Sequence, residues 1–353
     1  MKQPKCLDLD YIYFLINFFG SVVKRNFGGL YASSFLLLAI GSSLFFSCAP
    51  SIKFQQLKPA KFDIGKEPSF VLGQVKIYPQ LDLVKPERGG ILGEIVGMTA
   101  EVVQAYFGSE ELRRKLEATI QSEIANNKFG SYKFQGAKYR IDFSGNFYVQ
   151  DRTERREEEI REGNNVRKEV YYEVTRTYEM ELIYTLVRQD DGVVIGSSSH
   201  RKKEGEVQRG SSPMDAARKF ENWTKVGDKM IVSLVQNVMR EILPYYETVK
   251  RKLRKGDSKE LKEAVKLAEK GDLESAAQIW KKVLENPEKY SREDRTAALY
   301  NLGVYYEVKD DISSALQSYE SCEKEFGDKW CKEGVKRVKD REQELKRLQQ
   351  QTL

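Results

Sequence analysis

The chain carries a single histidine, His200, among 353 residues, and only four cysteines. With one imidazole, Ser-His-Asp chemistry would rest wholly on His200, and "GSSSH" over 196–200 lacks the Gly-x-Ser-x-Gly elbow that exposes a nucleophilic serine. His200 closes a strand-like run beside Arg201, Lys202 and Lys203, with no cysteine or carboxylate cluster near it in sequence, so it builds no metal-ligand set. Cysteine is too scarce for a disulfide framework or a four-ligand zinc site: Cys6 and Cys48 lie near the N-terminus, Cys322 and Cys331 near the C-terminus. The glycine-rich "RGGILGEIVG" (88–97) has neither dinucleotide-binding spacing nor a phosphate-loop lysine, and reads as a turn. Charge of one sign is missing too. Residues 1–47 hold Lys2, Lys5, Lys24 and Arg25 against Asp8 and Asp10, so without them the net charge falls from +6 to +4. Nucleic acid would call for a concentrated basic face. The carboxylates sit on charged helical faces and none is marked as an acid–base pair. The expectation is a non-enzymatic protein with no cofactor, no metal and no nucleic-acid partner.

What is present is aromatic mass and one long apolar run. Seventeen Phe, 19 Tyr and 3 Trp supply a packed core, and the length suits two domains. "SSFLLLAIGSSLFFSCAPS" (33–51) follows Lys24 and Arg25, runs apolar from Phe35 to Phe46, and ends in small residues at Ser47 and Cys48. This resembles the bacterial lipoprotein signal, although Phe45 and Phe46 are bulkier than its strict pattern. The resemblance implies cleavage before Cys48, acylation of its thiol and new amine, and stable membrane anchoring through those chains. It also implies a cell-envelope location. Ala49 stands where an Asp would resemble an inner-membrane retention signal, which tilts the reading to the outer membrane. The alternative is an uncleaved transmembrane helix over 30–48. Upstream, "YIYFLINFFGSVV" is too short to span a bilayer. A signal starting near Val22 or Val23 has ordinary proportions, pointing to a start downstream of Met1; a two-part leader is the alternative.

Residues 49–68, with Pro50, Pro59 and Pro68, read as a tether. "SFVLGQVKIYP" (69–79) reads as a strand. Apolar positions recur at helical spacing from Met98 to Asn127, with Gly108 a candidate break. Residues 138–150 alternate as a strand. Residues 169–202 read as a hairpin turning at Asp190-Asp191-Gly192. Between them "DRTERREEEIREGNNVRKE" is a solvated loop or hairpin tip, or else a docking surface for a charged partner. A helix follows Pro213, is interrupted at Pro244, and is closed by the basic "KRKLRKG" (250–256). This order predicts an α+β fold, with helices on a mostly antiparallel sheet.

The last hundred residues repeat. "LKEAVKLAEKGDLESAAQIWKKVLENP" lies over "ALYNLGVYYEVKDDISSALQSYESCEKEF" at an offset of 39 residues, matching Gly271-Asp272 to Asp310-Asp311, Ala276 to Ala315 and Trp280 to Tyr319. The pattern resembles the tetratricopeptide repeat, of period ~34. Leu299, Leu302, Gly303, Tyr306, Ala315 and Tyr319 sit at that family's positions in the second repeat. In the first, Ala264 stands where Gly303 does in the second. The resemblance implies paired helices crossing at small residues, Gly303 against Ala315 and Ala264 against Ala276, with Trp280 and Tyr319 filling the space beside them. A helix over 329–348 is expected as a cap. A binding groove for a partner and a purely structural extension both remain open. Residues 242–288 resemble the junction of an uncharacterised family of envelope lipoproteins, through Pro244, Tyr245, Tyr246, Ala264, Ala268, Lys270, Gly271, Asp272, Ala276, Ile279 and Trp280. The element order of the α+β part is similar to the curli-secretion lipoprotein and to lipoprotein activators of penicillin-binding proteins. Cys322 and Cys331 would form a disulfide in an oxidising envelope, the alternative being buried free thiols.

The expected organisation is a leader over 1–47, lipidated Cys48 and a tether to 68, an α+β domain over 69–255, and tetratricopeptide-like repeats with a capping helix over 256–353. The expected role is a membrane-anchored accessory or scaffold for an unidentified envelope protein, with homo-oligomerisation possible. The rival expectation is an oligomeric secretion-channel component.

Overall fold

The computed structural model describes residues 49–84, 91–162 and 165–352. Cys48 and the leader before it lie outside the described residues. The chain forms two compact units. A sheet unit takes Gln55–Glu247 and the end of the chain from Arg341. A helical unit takes the residues up to Phe54 and Thr248–Asp340. The boundaries fall inside strand β1 (Ser51–Lys58), strand β7 (Tyr245–Lys252) and the last helix, α8 (Lys329–Thr352).

The sheet unit is built on β2 (Ser69–Asp82), β3 (Ser131–Tyr132), β4 (Tyr139–Glu162), β5 (Asn165–Arg188) and β6 (Val194–Gly210), in the order β3-β2-β4-β5-β6. The expected α+β class is observed. The sheet is mixed: β5 pairs antiparallel with β4 on one side and β6 on the other, these being the three longest strands, while β2 lies parallel to β3 and β4. One face packs on helices α1 (Ile91–Asn126) and α3 (Trp223–Ile242), with the short α2 (Pro213–Ala217) between them in the chain. Alternate residues Phe143, Phe147 and Val149 of β4 meet Tyr184, Met180 and Tyr178 of β5 across the strands, and all six are buried. Period-two patterning places that whole set on one side. On α1, Leu112, Leu116, Ile120 and Ile124, each four residues from the next, form one fully buried stripe.

Several sequence expectations are corrected here. Gly108 does not break α1, which runs through it. A Cβ there would come within 2.0 Å of the Trp223 ring, so the glycine makes room for a helix–helix contact. The helix also begins at Ile91, inside the stretch expected to be a turn over 88–97. The expected tether over 49–68 is folded chain. Ser51–Lys58 is a strand paired with β7, and Ala60 and Ile64 are buried. Within the sheet unit, α8 holds this segment by hydrogen bonds from Arg341 to the Leu57 carbonyl (2.6 Å) and between the Ala60 N–H and Gln351 Oε1 (2.9 Å). These partners are 284 and 291 residues apart, a pairing invisible to local pattern. Residues after Pro244, expected to close the helix through the basic segment 250–256, form β7.

β4 and β5 outrun their neighbours. β2 ends opposite Gln150 and β6 ends opposite Tyr172, so the pair continues as a two-stranded ribbon to Glu162↔Asn165. The solvated segment of the sequence reading is this ribbon, braced by Arg156 on Glu154 and Glu173. At its base, Arg176 and Asp151 form a bidentate pair at 2.7 Å, both buried, with the Phe220 ring over the guanidinium. Asp151 Oδ2 also accepts the Val84 N–H at 2.9 Å. Asp151→Ala leaves a buried guanidinium uncompensated and is expected to cost about 3 kcal/mol, read as a fall in the urea midpoint of the sheet unit.

Candidate interaction site in the helical unit

The helical unit is made of α4 (Lys259–Glu269), α5 (Leu273–Glu285), α6 (Arg292–Val308), α7 (Ile312–Phe326) and the first half of α8. Each begins where the sequence offers a cap. Asp272 accepts the Ser275 N–H at 3.1 Å, and the matching Asp311 accepts the Ser314 N–H at 3.2 Å. Both turns place a residue at positive φ just ahead of the cap: Gly271 at 95° and Asp310 at 52°.

Of the residues singled out from the sequence, Ala264, Ala276, Trp280, Ala315 and Tyr319 are fully buried, Leu302 is buried, and Tyr306 is half-buried. Gly303 has a direct steric reason: a Cβ there would lie 2.5 Å from the Tyr319 ring. Gly334 of α8 meets the same ring at the same distance, so Tyr319 is clasped between two glycines. Cys322 and Cys331 are joined by a disulfide linking α7 to α8, with Cα atoms 5.9 Å apart. With Asp328 they are the described trio whose potential metal-ligand atoms lie within 4.8 Å of one another. The sulfurs are bonded to each other, however, and Asp328 is engaged by Arg254 and by the Trp330 and Cys331 N–H groups.

Sequence reading missed the polar core. Glu307 is buried, and its two oxygens gather the Tyr319 hydroxyl (2.6 Å), Arg337 (2.9 Å) and Arg251 (2.7 Å). Burial, then the Glu307 charge, holds the Tyr319 hydroxyl far above the usual phenol range. Burial alone would lower Arg337, but the charge and hydrogen bond of Glu307, with Tyr319 and Tyr300, together outweigh it and the guanidinium is held still more firmly protonated. Asn301, fully buried, clamps the backbone of Arg254, accepting its N–H (2.9 Å) and donating to its carbonyl (2.8 Å). Buried Asp294 accepts the Asp257 and Ser258 N–H groups at 2.7 and 3.1 Å. These residues look like ordinary charged helix surface in the sequence. The one available signal was their place within repeats whose apolar positions were already assigned.

The accessible face of the unit is aromatic and charged. Tyr305 donates to Glu274 Oε2 at 2.5 Å, a bond that with partial burial pushes its pKa up to about 12. Tyr306 lies edge-on to it at 5.1 Å, with Lys281 over the Tyr306 ring. This patch, contributed by α5 and α6, is a surface able to take a peptide-like partner through stacking and charge. In the sheet unit, a depression of ≈ 490 Å³ is lined by Phe107, Arg176, Phe220 and Trp223 among others. His200 lies elsewhere in that unit. Its Nε2 is 3.5 Å from the carboxylate of Glu241, which accepts hydrogen bonds from Tyr184 (2.5 Å) and Lys61 (3.3 Å).

A protein family described as a domain of unknown function (DUF6340) matches residues 262–350. No curated protein matches the chain. Among solved structures, a neuraminyllactose-binding hemagglutinin homolog from Helicobacter pylori is similar at 16% identity, covering 49% of this chain and 89% of its own, with a TM-score of 0.28. Two crystal forms of the PelC dodecamer from Paraburkholderia phytofirmans are similar at 16% and 13% identity. Each covers 54% of this chain, with 96% and 97% of their own chains covered and TM-scores of 0.20 and 0.21.

Gly303→Val drives a side chain into the Tyr319 ring and is expected to destabilise the helical unit by about 2 kcal/mol, seen as an earlier unfolding transition by circular dichroism. Glu241 supplies a pH test. Burial alone would raise its carboxyl, but the Tyr184 hydroxyl, Lys61 and His200 hold it below the usual carboxylate range. A carboxyl lowered by folding contributes stability that is present above its unfolded value of about 4.3 and lost as the pH falls through the folded value. Acid titration should therefore show an unfolding limb below that pH, flattened in Glu241→Gln.

Proposed function

We propose that the chain is a non-catalytic, lipid-anchored envelope protein that acts as an accessory or scaffold for another envelope protein. The observation that carries this reading is the join between sequence and fold. The apolar run ends at Ser47-Cys48, and Pro50, two residues on, is already buried, its carbonyl accepting the Leu253 N–H at 2.7 Å. An acylated Cys48 would hold the folded body close to the bilayer, confining its search for a partner to a thin layer and raising the partner's effective concentration. The tetratricopeptide-like pairing of α4 with α5 and α6 with α7, with aromatic Tyr305 and Tyr306 at the surface, supports the scaffold half. The channel alternative draws on the β4–β5 ribbon, whose length suits a spanning hairpin. Yet Arg155, Glu157 and Glu159 on one face and Glu154, Arg156 and Glu158 on the other make it poorly suited to lipid.

Mass spectrometry of protein isolated from native membranes is expected to find a mature chain starting at Cys48 and carrying fatty acid. Cys48→Ser should accumulate as unprocessed, unacylated chain. An intact leader with no acyl group overturns the anchoring. For the scaffold half, a photo-crosslinker at Tyr306 should give one discrete envelope-protein adduct that Cys48→Ser abolishes. The absence of any adduct from Tyr305 or Tyr306 removes that half.

A further inference from the structure

The basic segment "KRKLRKG" (250–256) is divided by the fold into two chemistries. Its arginines turn inward. Arg251 binds buried Glu307 and lies over the Phe54 ring, while Arg254 binds Asp328 and lies over Trp330. Its lysines do the opposite. Lys250, Lys252 and Lys255 are exposed, and so is Lys53 on the paired strand β1. None of these four ammonium groups has an ion-pair or hydrogen-bond partner among the described residues. The division is physically consistent. A planar guanidinium suits a buried bidentate or stacked partner, whereas a strongly hydrated ammonium favours water or an exposed anion.

Their position supplies the occupant. Leu253, between Lys252 and Arg254, donates its N–H to the Pro50 carbonyl. Only Ala49 separates Pro50 from Cys48, and the two steps of chain reach about 7 Å. Lys252 is adjacent to that hydrogen bond, and Lys250 lies about 7 Å further along the strand. All are in the helical unit. Beside Pro50 the Ser51 N–H approaches the Glu269 carboxylate at 3.4 Å, and exposed Lys270 follows that residue directly. Charges this near a bilayer surface lie within about one Debye length, 8 Å at physiological salt, where basic side chains are attracted to anionic headgroups. Acyl chains combined with a basic patch form a two-signal anchor.

We propose that Lys53, Lys250, Lys252 and Lys255 form a membrane-facing surface that rests on anionic phospholipid headgroups and sets which side of the helical unit faces the bilayer. The inference rests on the acyl anchor at Cys48. The test uses native protein reconstituted into vesicles of phosphatidylcholine alone, or with one third phosphatidylglycerol. Flotation reports attachment, and residue-resolved amine labelling reports contact. The expected result is flotation with both vesicles, and labelling of the four lysines slowed about threefold or more by phosphatidylglycerol, the difference collapsing as salt rises from about 0.1 to about 0.5 M. Flotation with both and equal labelling in both overturns the basic surface and leaves the anchor standing. Flotation with anionic vesicles alone, abolished by salt and by K53E/K250E/K252E/K255E, overturns the anchor and keeps the surface. No flotation with either overturns both. Circular dichroism of the variant, matched to wild type, shows that the substitutions act at the surface.

Discussion

The helical unit depends on a buried carboxylate. A charge in a low-dielectric interior is tolerated only when it is paired and its lone pairs are filled. Glu307 of α6 meets that condition with three donors from three other elements: Arg251 from β7, Tyr319 from α7 and Arg337 from α8. Removing any one donor leaves part of that charge uncompensated, so the four elements are held in one relative arrangement. Apolar packing alone would not do this, because smooth hydrophobic faces tolerate sliding and repacking. Tyr319 serves both kinds of constraint. Its ring is gripped between Gly303 and Gly334, and its hydroxyl is committed to Glu307.

What the sequence revealed and what it hid divide along the same line. Period and composition expose apolar positions, so Ala264, Ala276, Trp280, Ala315 and Tyr319 were identifiable from the repeat, as was the hairpin turn at Asp190-Asp191-Gly192. Long-range partners have no local signature. Glu307, Arg337 and Asn301 each look like solvated helix residues until the backbone that brings them to Arg251 and Arg254 is known. The same blindness turned residues 49–68 into a tether: Pro50, Pro59 and Pro68 suggested extended chain, while Arg341 and Gln351, which hold Leu57 and Ala60, lie at the far end of the sequence. Gly108 and Gly303 show how ambiguous a single residue type is. Both lie inside helices, and both are explained by an aromatic ring from another helix. Only Gly303 stood in a repeat that hinted at it.

In the sheet unit the comparable constraint is Arg176 with Asp151. The pair sits where β2 leaves the sheet, a few residues short of the bare β4–β5 ribbon. Asp151 also accepts the Val84 N–H just beyond the end of β2, so one carboxylate closes the last hydrogen-bonding position before the sheet narrows. Past the end of β6 opposite Tyr172, every backbone group depends on one neighbouring strand and water, and a two-stranded ribbon has little stability of its own. Cross-strand and same-strand Arg–Glu pairs are what the sequence supplies there, each worth little in solvent. The dense alternation of signs from Arg152 to Glu173 therefore brings solubility to an exposed edge more than it brings rigidity.

Two helical hairpins are fewer than a repeat stack ordinarily needs, because each hairpin leaves an apolar face for its neighbour to cover. In this chain those faces are covered by non-repeat material. α8 contributes Val338, Gly334 and Cys331, the last tied covalently to Cys322 of α7. The strand ends contribute Ile52 and Leu253 to the same apolar cluster, and the segment after β7 is fastened to α6 by Asn301 and Asp294. The unit's core is thus completed by chain that enters it from β1 and β7. Its integrity then depends on Pro50 and Leu253 staying in register, since slipping that pair would withdraw Ile52 from the core and Arg251 from Glu307 together. Packing and the buried charge therefore select the same register, and that register fixes which residues of the unit lie beside the segment leading back to Cys48.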